Sequence, residues 1–410
     1  MQGYIHNTAC RVCRGTDLVK ILDLGSTPPA NAYLAKEDLG KPEPTFPLVL
    51  YFCRTCSLAQ LLDVVDPNVL FTGYRFLTSA STPSVEHFKT YAKEVVHPLV
   101  TSPQDLVVDI GGNDGVLLSF VKDYARVLNI DPAENLAPLS ESRGVPFYPA
   151  FFTSRVADDV IANYGHAKVV VANNVFAHTD PIRDVFEGVA KLIGEDGSFI
   201  FEVHWAKHLV DENAFDQIYH EHLCFYSLHA AQHLVEASGM KIYDVEIVPA
   251  QGKSLRVFAA KNRPPSANVA RILEEEKTAG LTSERAYQNF ARRVEGNKKK
   301  AVALLKELKA QGKKIVGYGA PAKSTTLLNY YGIGTETLEY LTDTTTLKQG
   351  RYSPGVHIPI VPPERLYADT PDYILLLAWN FKEFILKKEE ALRARGVKFI
   401  VTIPEVSVIE

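Results

Sequence analysis

The strongest pattern of apolar and polar positions begins at Asp105. The apolar run LVVDI leads into a glycine-rich turn and then into apolar residues at helical spacing, VLLSFVKDY. ARVLNID repeats the strand, ending at Asp131, and a second helical stretch follows. AKVVVANN and GSFIFEVHW supply strands at Val169–Ala172 and Ser198–Val203, with a helix between them. Short apolar runs alternating with amphipathic helices predict a doubly wound, mostly parallel sheet. After SLRVFAAK, residues 271–310 are rich in Glu, Lys, Arg and Ala and read as helical. KKIVGYGAPAKSTTLLNYYG then repeats the strand, glycine turn and helix, and LEYLTDTT, PDYILLLAWN and GVKFIVTIP add further strands. Residues 1–68 show neither period and have a proline-rich middle; a helix starting near Ser84 leads into the sheet. The expected division is a small N-terminal domain over 1–68, a Rossmann-like domain over 69–265, a helical connector over 266–312 and a second Rossmann-like domain over 313–410.

Length agrees with this: 410 residues exceed what one compact core accommodates. The cysteines sharpen the N-terminal reading. Four of the five form two C-x-x-C pairs, Cys10/Cys13 and Cys53/Cys56. In a reducing compartment, paired knuckles of this kind hold a structural zinc ion, and four thiolates leave no open position for catalysis. The chain opens without a basic, apolar leader, and its apolar runs fall short of a membrane span, so a cytoplasmic protein with no membrane partner is expected. A net charge of -4 argues against a nucleic-acid partner.

The first glycine turn reads Asp109-Ile110-Gly111-Gly112-Asn113-Asp114-Gly115. It lacks the G-x-G-x-x-G spacing of a dinucleotide site. It is similar to the D/E-x-G-x-G-x-G motif of class I S-adenosylmethionine-dependent methyltransferases, with Asn113 in place of the middle glycine. Asn tolerates a left-handed backbone, so the turn is expected to survive. Asp131, closing the next strand, is suited to accept hydrogen bonds from a cofactor ribose. Asp109, Gly111, Gly112, Asn113, Gly115, Asp131 and Asn174 form the expected cofactor set. The second turn, Gly317 to Ser324, lacks Walker spacing. It is either a cradle for a nucleotide diphosphate, with Lys323 adding charge, or a structural turn.

With these parts in order, the chain resembles the sugar C-methyltransferase family of deoxysugar and antibiotic biosynthesis. The resemblance spans nearly the whole chain, from the twin C-x-x-C module through DIGGNDG, NNVFAH, YHEH, GKSLRVF and GYGAPAKSTTLLN to AWNF. It implies methylation of a ring carbon of a dTDP-linked 4-keto-6-deoxy sugar, C3 favoured over C5, by a monomer or dimer.

Such chemistry needs a base to remove the proton beside a ketone and a donor for the enolate oxygen. Histidine suits the first role. The resemblance carries Tyr219, Glu221 and His222 into the sugar pocket. His222 is then the general base, Glu221 orients its ring or contacts the sugar, and Tyr219 bonds the ketone or enolate oxygen. His178 is the second pocket histidine. Tyr74 lies in the linker over the pocket, with Phe76 where the family often has a second tyrosine. Ser254, Arg256 and Lys323 are expected sugar or phosphate contacts. His220 is expected to point away, Cys224 to be a small buried hydrophobe, and His87, His204 and His208 to be structural.

Other functions compete. An RNA-modifying methyltransferase would use the zinc module as a clamp. A small-molecule O- or N-methyltransferase needs less carbanion chemistry. A non-catalytic nucleotide-sugar binder would find its support in Asn113.

Overall fold

The computed structural model describes residues 3–71, 77–249 and 252–410. Tyr74 therefore lies outside the described residues. The chain folds as a four-cysteine module followed by two α/β units.

The central sheet has seven strands in the spatial order Lys241–Val248, Ser254–Ala260, Ser198–His204, Val169–Asn173, Leu106–Ile110, Arg126–Ile130, Phe147–Tyr148. The five strands from Ser198–His204 to Phe147–Tyr148 are parallel, and Ser254–Ala260 runs antiparallel to both its neighbours. LVVDI is buried at every position because helices cover both faces. Val107, Val169, Val171 and Ile200 pack against Tyr91, Leu117 and Leu118 on one face. Val108, Val170, Ala172, Phe199 and Phe201 pack on the other, where Phe176 and Phe186 complete an aromatic cluster. The helix expected near Ser84 spans Thr82–Tyr91, with Ser81 Oγ accepting from Ser84 N.

Helices Ala267–Thr278 and Glu284–Ala310 lead to the second sheet, ordered Ile360–Val361, Leu341–Thr342, Ile315–Tyr318, Tyr373–Leu376, Lys398–Val401, Ser407–Ile409. All but the last strand are parallel.

The N-terminal module is built on an antiparallel sheet ordered Cys224–Phe225, Ala59–Leu61, Phe46–Cys53, Leu18–Thr27. Its edge strand is not its own: Cys224 and Phe225 pair with Gln60 and Ala59. The segment carrying Tyr219–His222 is thereby drawn between the module and the central sheet. The second α/β unit closes on the same segment. Thr326 Oγ1 donates to the Ile218 carbonyl (2.9 Å), and Trp379 Nε1 donates to the buried Asp216 carboxylate (2.7 Å). Among the described residues, no helix is long and apolar enough to cross a membrane.

Candidate active site

Four of the five parallel strands of the central sheet deliver a polar group at their carboxyl ends, where open α/β sheets collect ligands. After Leu106–Ile110 comes the Gly111–Gly115 turn, and Asn113 does adopt the left-handed backbone, with φ of 52°. Its substitution for glycine has a use: Asn113 Oδ1 accepts from Thr78 N (3.0 Å), tying the chain before the Thr82–Tyr91 helix over the turn. Asp131 accepts from Asn113 N (3.0 Å) and Ala133 N (2.9 Å). Burial pushes the Asp109 carboxyl well up, aided by nearby Asp131, and burial also raises Asp131. Gly112 is enclosed: a Cβ there would stand 2.4 Å from Asn129 Oδ1 and 2.7 Å from Asp109 Oδ2.

Beside this turn, Asn174 also has positive φ, 59°. Its Oδ1, and both amide atoms of neighbouring Asn173, are inaccessible and unpartnered among the described residues. Orphaned amide groups at a sheet's ligand edge are what a polar cofactor would satisfy. Asn173 went unselected by the sequence, which offered two adjacent asparagines and no means of ranking them.

Tyr219-His220-Glu221-His222 is a tight turn closed by His222 N donating to the Tyr219 carbonyl (2.8 Å). The turn sends the four side chains in three directions. Tyr219 and His222 come together, with the Tyr219 hydroxyl 2.8 Å from His222 Nε2. His222 Nδ1 lies 2.8 Å from the Gln217 carbonyl, which can only accept. The ring therefore carries its proton on Nδ1 and offers a lone pair at Nε2. His220 turns into the N-terminal module, where Nε2–H donates to the Phe46 carbonyl (3.1 Å). Glu221 turns aside to accept from Asn31 Nδ2 (2.8 Å), a residue of the proline-rich stretch.

One expectation is corrected here. Glu221 does not orient the His222 ring, because the Gln217 carbonyl does. Tyr219 is hydrogen-bonded to His222 itself, so the two form one unit.

His178, beyond the Val169–Asn173 strand, donates Nδ1–H to the Glu221 carbonyl (2.7 Å), and its ring lies 5.0 Å from that of His222. His204, ending the Ser198–His204 strand, lies 5.2 Å from His222 on another side. Sequence reading gave His204 no role, since nothing in a strand's last residue signals its neighbours. Burial holds the His222 imidazole well below the usual histidine range, with His178 and His204 adding to the effect. Burial likewise lowers His178, to about 4. The neutral imidazoles of His178 and His222 and the Tyr219 phenol thus share one corner, with the His204 ring beside them.

The expected substrate contacts separate. Ser254 is fully buried and sits opposite His204 in the strand register. Arg256 is withdrawn as a free contact. It bonds Glu202 (2.8 Å) and Glu246 (2.9 Å) and lies 4.5 Å over the Tyr91 ring. Glu202 also holds His87 Nε2 (3.0 Å), so His87 belongs to this buried network. Lys323 bonds Asn380 and lies 4.5 Å over the Trp379 ring, at the join between the second α/β unit and the Asp216–His222 segment. Burial lowers its ammonium, partly offset by Asp216.

In the N-terminal module, the sulfurs of Cys10, Cys13, Cys53 and Cys56 all lie within 4.8 Å of one another. Cys10–Cys56 and Cys13–Cys53 are each 3.5 Å apart, and no disulfide joins them. Zn–S bonds of ~2.3 Å place tetrahedral thiolates roughly 3.8 Å apart, so the four sulfurs fit a zinc ion.

Comparison with known proteins completes the picture. Over 407 residues the chain is 38% identical to the C-methyltransferase NovU of Streptomyces niveus, covering 98% of this chain and 96% of that protein. The chain belongs to the C-methyltransferase family. Three family models divide the methyltransferase: "Putative zinc binding domain" over residues 10–71, "Methyltransferase domain" over 85–245 and "C-methyltransferase C-terminal domain" over 249–404. The enzyme is S-adenosylmethionine-dependent, and its four-cysteine module is zinc-binding. Solved structures overlap only in part. The magnesium protoporphyrin IX methyltransferase of Synechocystis PCC 6803 matches 44% of this chain and 82% of its own, at 16% identity and a TM-score of 0.33. An S-adenosylmethionine-dependent methyltransferase of Clostridium acetobutylicum ATCC 824 matches 44% and 92%, at 12% identity and 0.34. Overlaps this slight say nothing of the substrate.

Proposed function

We propose that the methyltransferase acts on a ring carbon, C3 favoured over C5, of a dTDP-linked 4-keto-6-deoxy sugar, through an enolate. The observation that carries this reading is the Tyr219–His222 pair, with Nδ1–H fixed on the Gln217 carbonyl and the Nε2 lone pair against a phenol. Carbon is a poor nucleophile until a proton beside a ketone is removed, and a neutral, desolvated imidazole is suited to take it. An O- or N-methyltransferase has less need of such a base.

The Gly111–Gly115 turn, Asp131 and the Asn173–Asn174 amides are the residues that would hold the cofactor. When bound, S-adenosylmethionine supplies an electrophilic methyl group. The chain's own residues do the rest. His222 receives the proton from the sugar carbon at Nε2, and Tyr219, next to it, passes its hydrogen bond to the ketone oxygen as charge develops there. His178, with Nδ1–H held on the Glu221 carbonyl, keeps a lone pair at Nε2 and is suited to accept from a sugar hydroxyl in the same corner. Glu221, fixed by Asn31, contacts the sugar hydroxyls rather than the base. Lys323, with the Gly317–Ser324 turn, anchors the diphosphate, so the second α/β unit holds the nucleotide while the central sheet performs the transfer.

Hydrogen exchange tests this apart from methyl transfer. In deuterated water without cofactor, a dTDP-4-keto-6-deoxy sugar should gain deuterium at the attacked carbon with the native enzyme and lose that gain with His222→Asn. Methyl transfer to a sugar oxygen, with no exchange at carbon, would overturn the reading.

A further inference from the structure

The zinc knuckle Cys10-Arg11-Val12-Cys13 carries a charge where charge is costly: Arg11 is only 4% exposed. Buried guanidinium groups persist where their hydrogen bonds are met, and the partners of Arg11 are specific. Nε and Nη2 both donate to Asp180 Oδ1, at 3.2 and 3.1 Å. Nη1 donates to the Leu223 carbonyl (3.0 Å), and also to the Leu61 carbonyl (2.7 Å) and Gln60 Oε1 (3.2 Å) of the module's own strand.

Asp180 lies two residues beyond His178, and Leu223 directly follows His222. One rigid, planar side chain thus bonds both histidine-bearing segments. Two further bonds run in parallel: Asn7 Nδ2 donates to Asp180 (3.0 Å), and Leu223 N donates to the Ala177 carbonyl (2.6 Å). The knuckle fixes the Arg11 backbone because Cys10 and Cys13 are two of the clustered thiols.

We propose that Arg11 is a positioning residue that holds the His178 and His222 segments in register, so that the zinc module sets the spacing of the two imidazoles. It touches neither ring. Its catalytic consequence rests on the roles given above to His178 and His222, while the register itself does not.

The experiment uses full-length, zinc-loaded enzyme with Arg11→Lys, which keeps the charge but loses the fork, and Asp180→Asn, which removes a carboxylate at the half-exposed end. Zinc content and S-adenosylmethionine affinity are measured first and should match the native enzyme within about twofold. Histidine side-chain 1H–15N spectra, assigned through His178→Asn and His222→Asn, are the structural readout. Both variants should shift the His178 and His222 signals and leave that of His229, which pairs with distant Glu276, in place. A misplacement on the order of 1 Å costs ~100-fold in rate, so kcat should fall ten- to hundredfold with KM for the sugar changed far less. Shifted signals with full kcat would uphold the register and sink the catalytic reading of the histidines. Unmoved signals, whatever the rate, would overturn the proposal.

Discussion

The Tyr219 hydroxyl lies 2.8 Å from His222 Nε2, and the same imidazole is anchored at Nδ1 by the Gln217 carbonyl. The phenol and the base are therefore one hydrogen-bonded unit before any substrate arrives. His222→Asn should lower kcat by ~100- to 10,000-fold, the range for loss of a general base, with cofactor affinity unchanged by titration calorimetry. Tyr219→Phe should cost less, and its loss should fall on kcat rather than on KM. Equal, small losses in both variants would contradict the pairing.

The glycine turn makes opposite predictions for adjacent positions. Gly112→Ala places a methyl 2.4 Å from Asn129 Oδ1, whose own amide is tied to the Asn113 carbonyl. It should cost ~1–3 kcal/mol of stability and weaken S-adenosylmethionine binding at least tenfold. Asn113→Gly keeps the left-handed backbone and loses the bond to Thr78 N. Its cofactor affinity should stay within several-fold of native, as titration calorimetry would reveal.

Acidity should act through the buried imidazoles. Burial lowers His178 to about 4 and His222 well below its ordinary value near 6.5. Between pH 6.5 and 4 the unfolded chain binds protons that the native chain refuses, so stability is present above pH 6.5 and is lost as pH falls through that window. The slope is about 1.4 kcal/mol per pH unit for each such group. The base nevertheless remains unprotonated, so the acid limb of kcat/KM should lie below pH 6.5. Urea midpoints and pH–rate profiles would check the two statements, and His178→Asn should flatten the stability slope by about one proton.

Zinc should be present at one ion per chain. Cys53→Ser, or prolonged chelation, should release it and lower the melting temperature, since Cys53 ends one of the two inner strands of the module's sheet. Metal analysis alongside calorimetry would test this; a chelated enzyme with unchanged melting would contradict it.

Much of this was legible in the residues. The twin knuckles, the strand and turn periodicity and the left-handed Asn113 follow from local chemistry. The histidine corner was legible only in part. YHEH announced polar chemistry, yet the direction of each side chain depends on a turn closed between residues 219 and 222 and on three separate walls. That is why Glu221 was assigned to orient the base when it reaches Asn31, and why His204 was passed over. Arg256 looked like a ligand contact because a lone arginine does not reveal Glu202, which lies 54 residues away and faces it across the strands.

The most direct measurement is product analysis. Purified enzyme is incubated with S-adenosylmethionine and dTDP-4-keto-6-deoxy sugars, with and without a 3-amino group, and the product is followed by mass and NMR. A new methyl on a ring carbon, absent with His222→Asn while cofactor binding persists, is the predicted result. A methyl on oxygen or nitrogen, or carbon methylation that survives His222→Asn, would contradict the account.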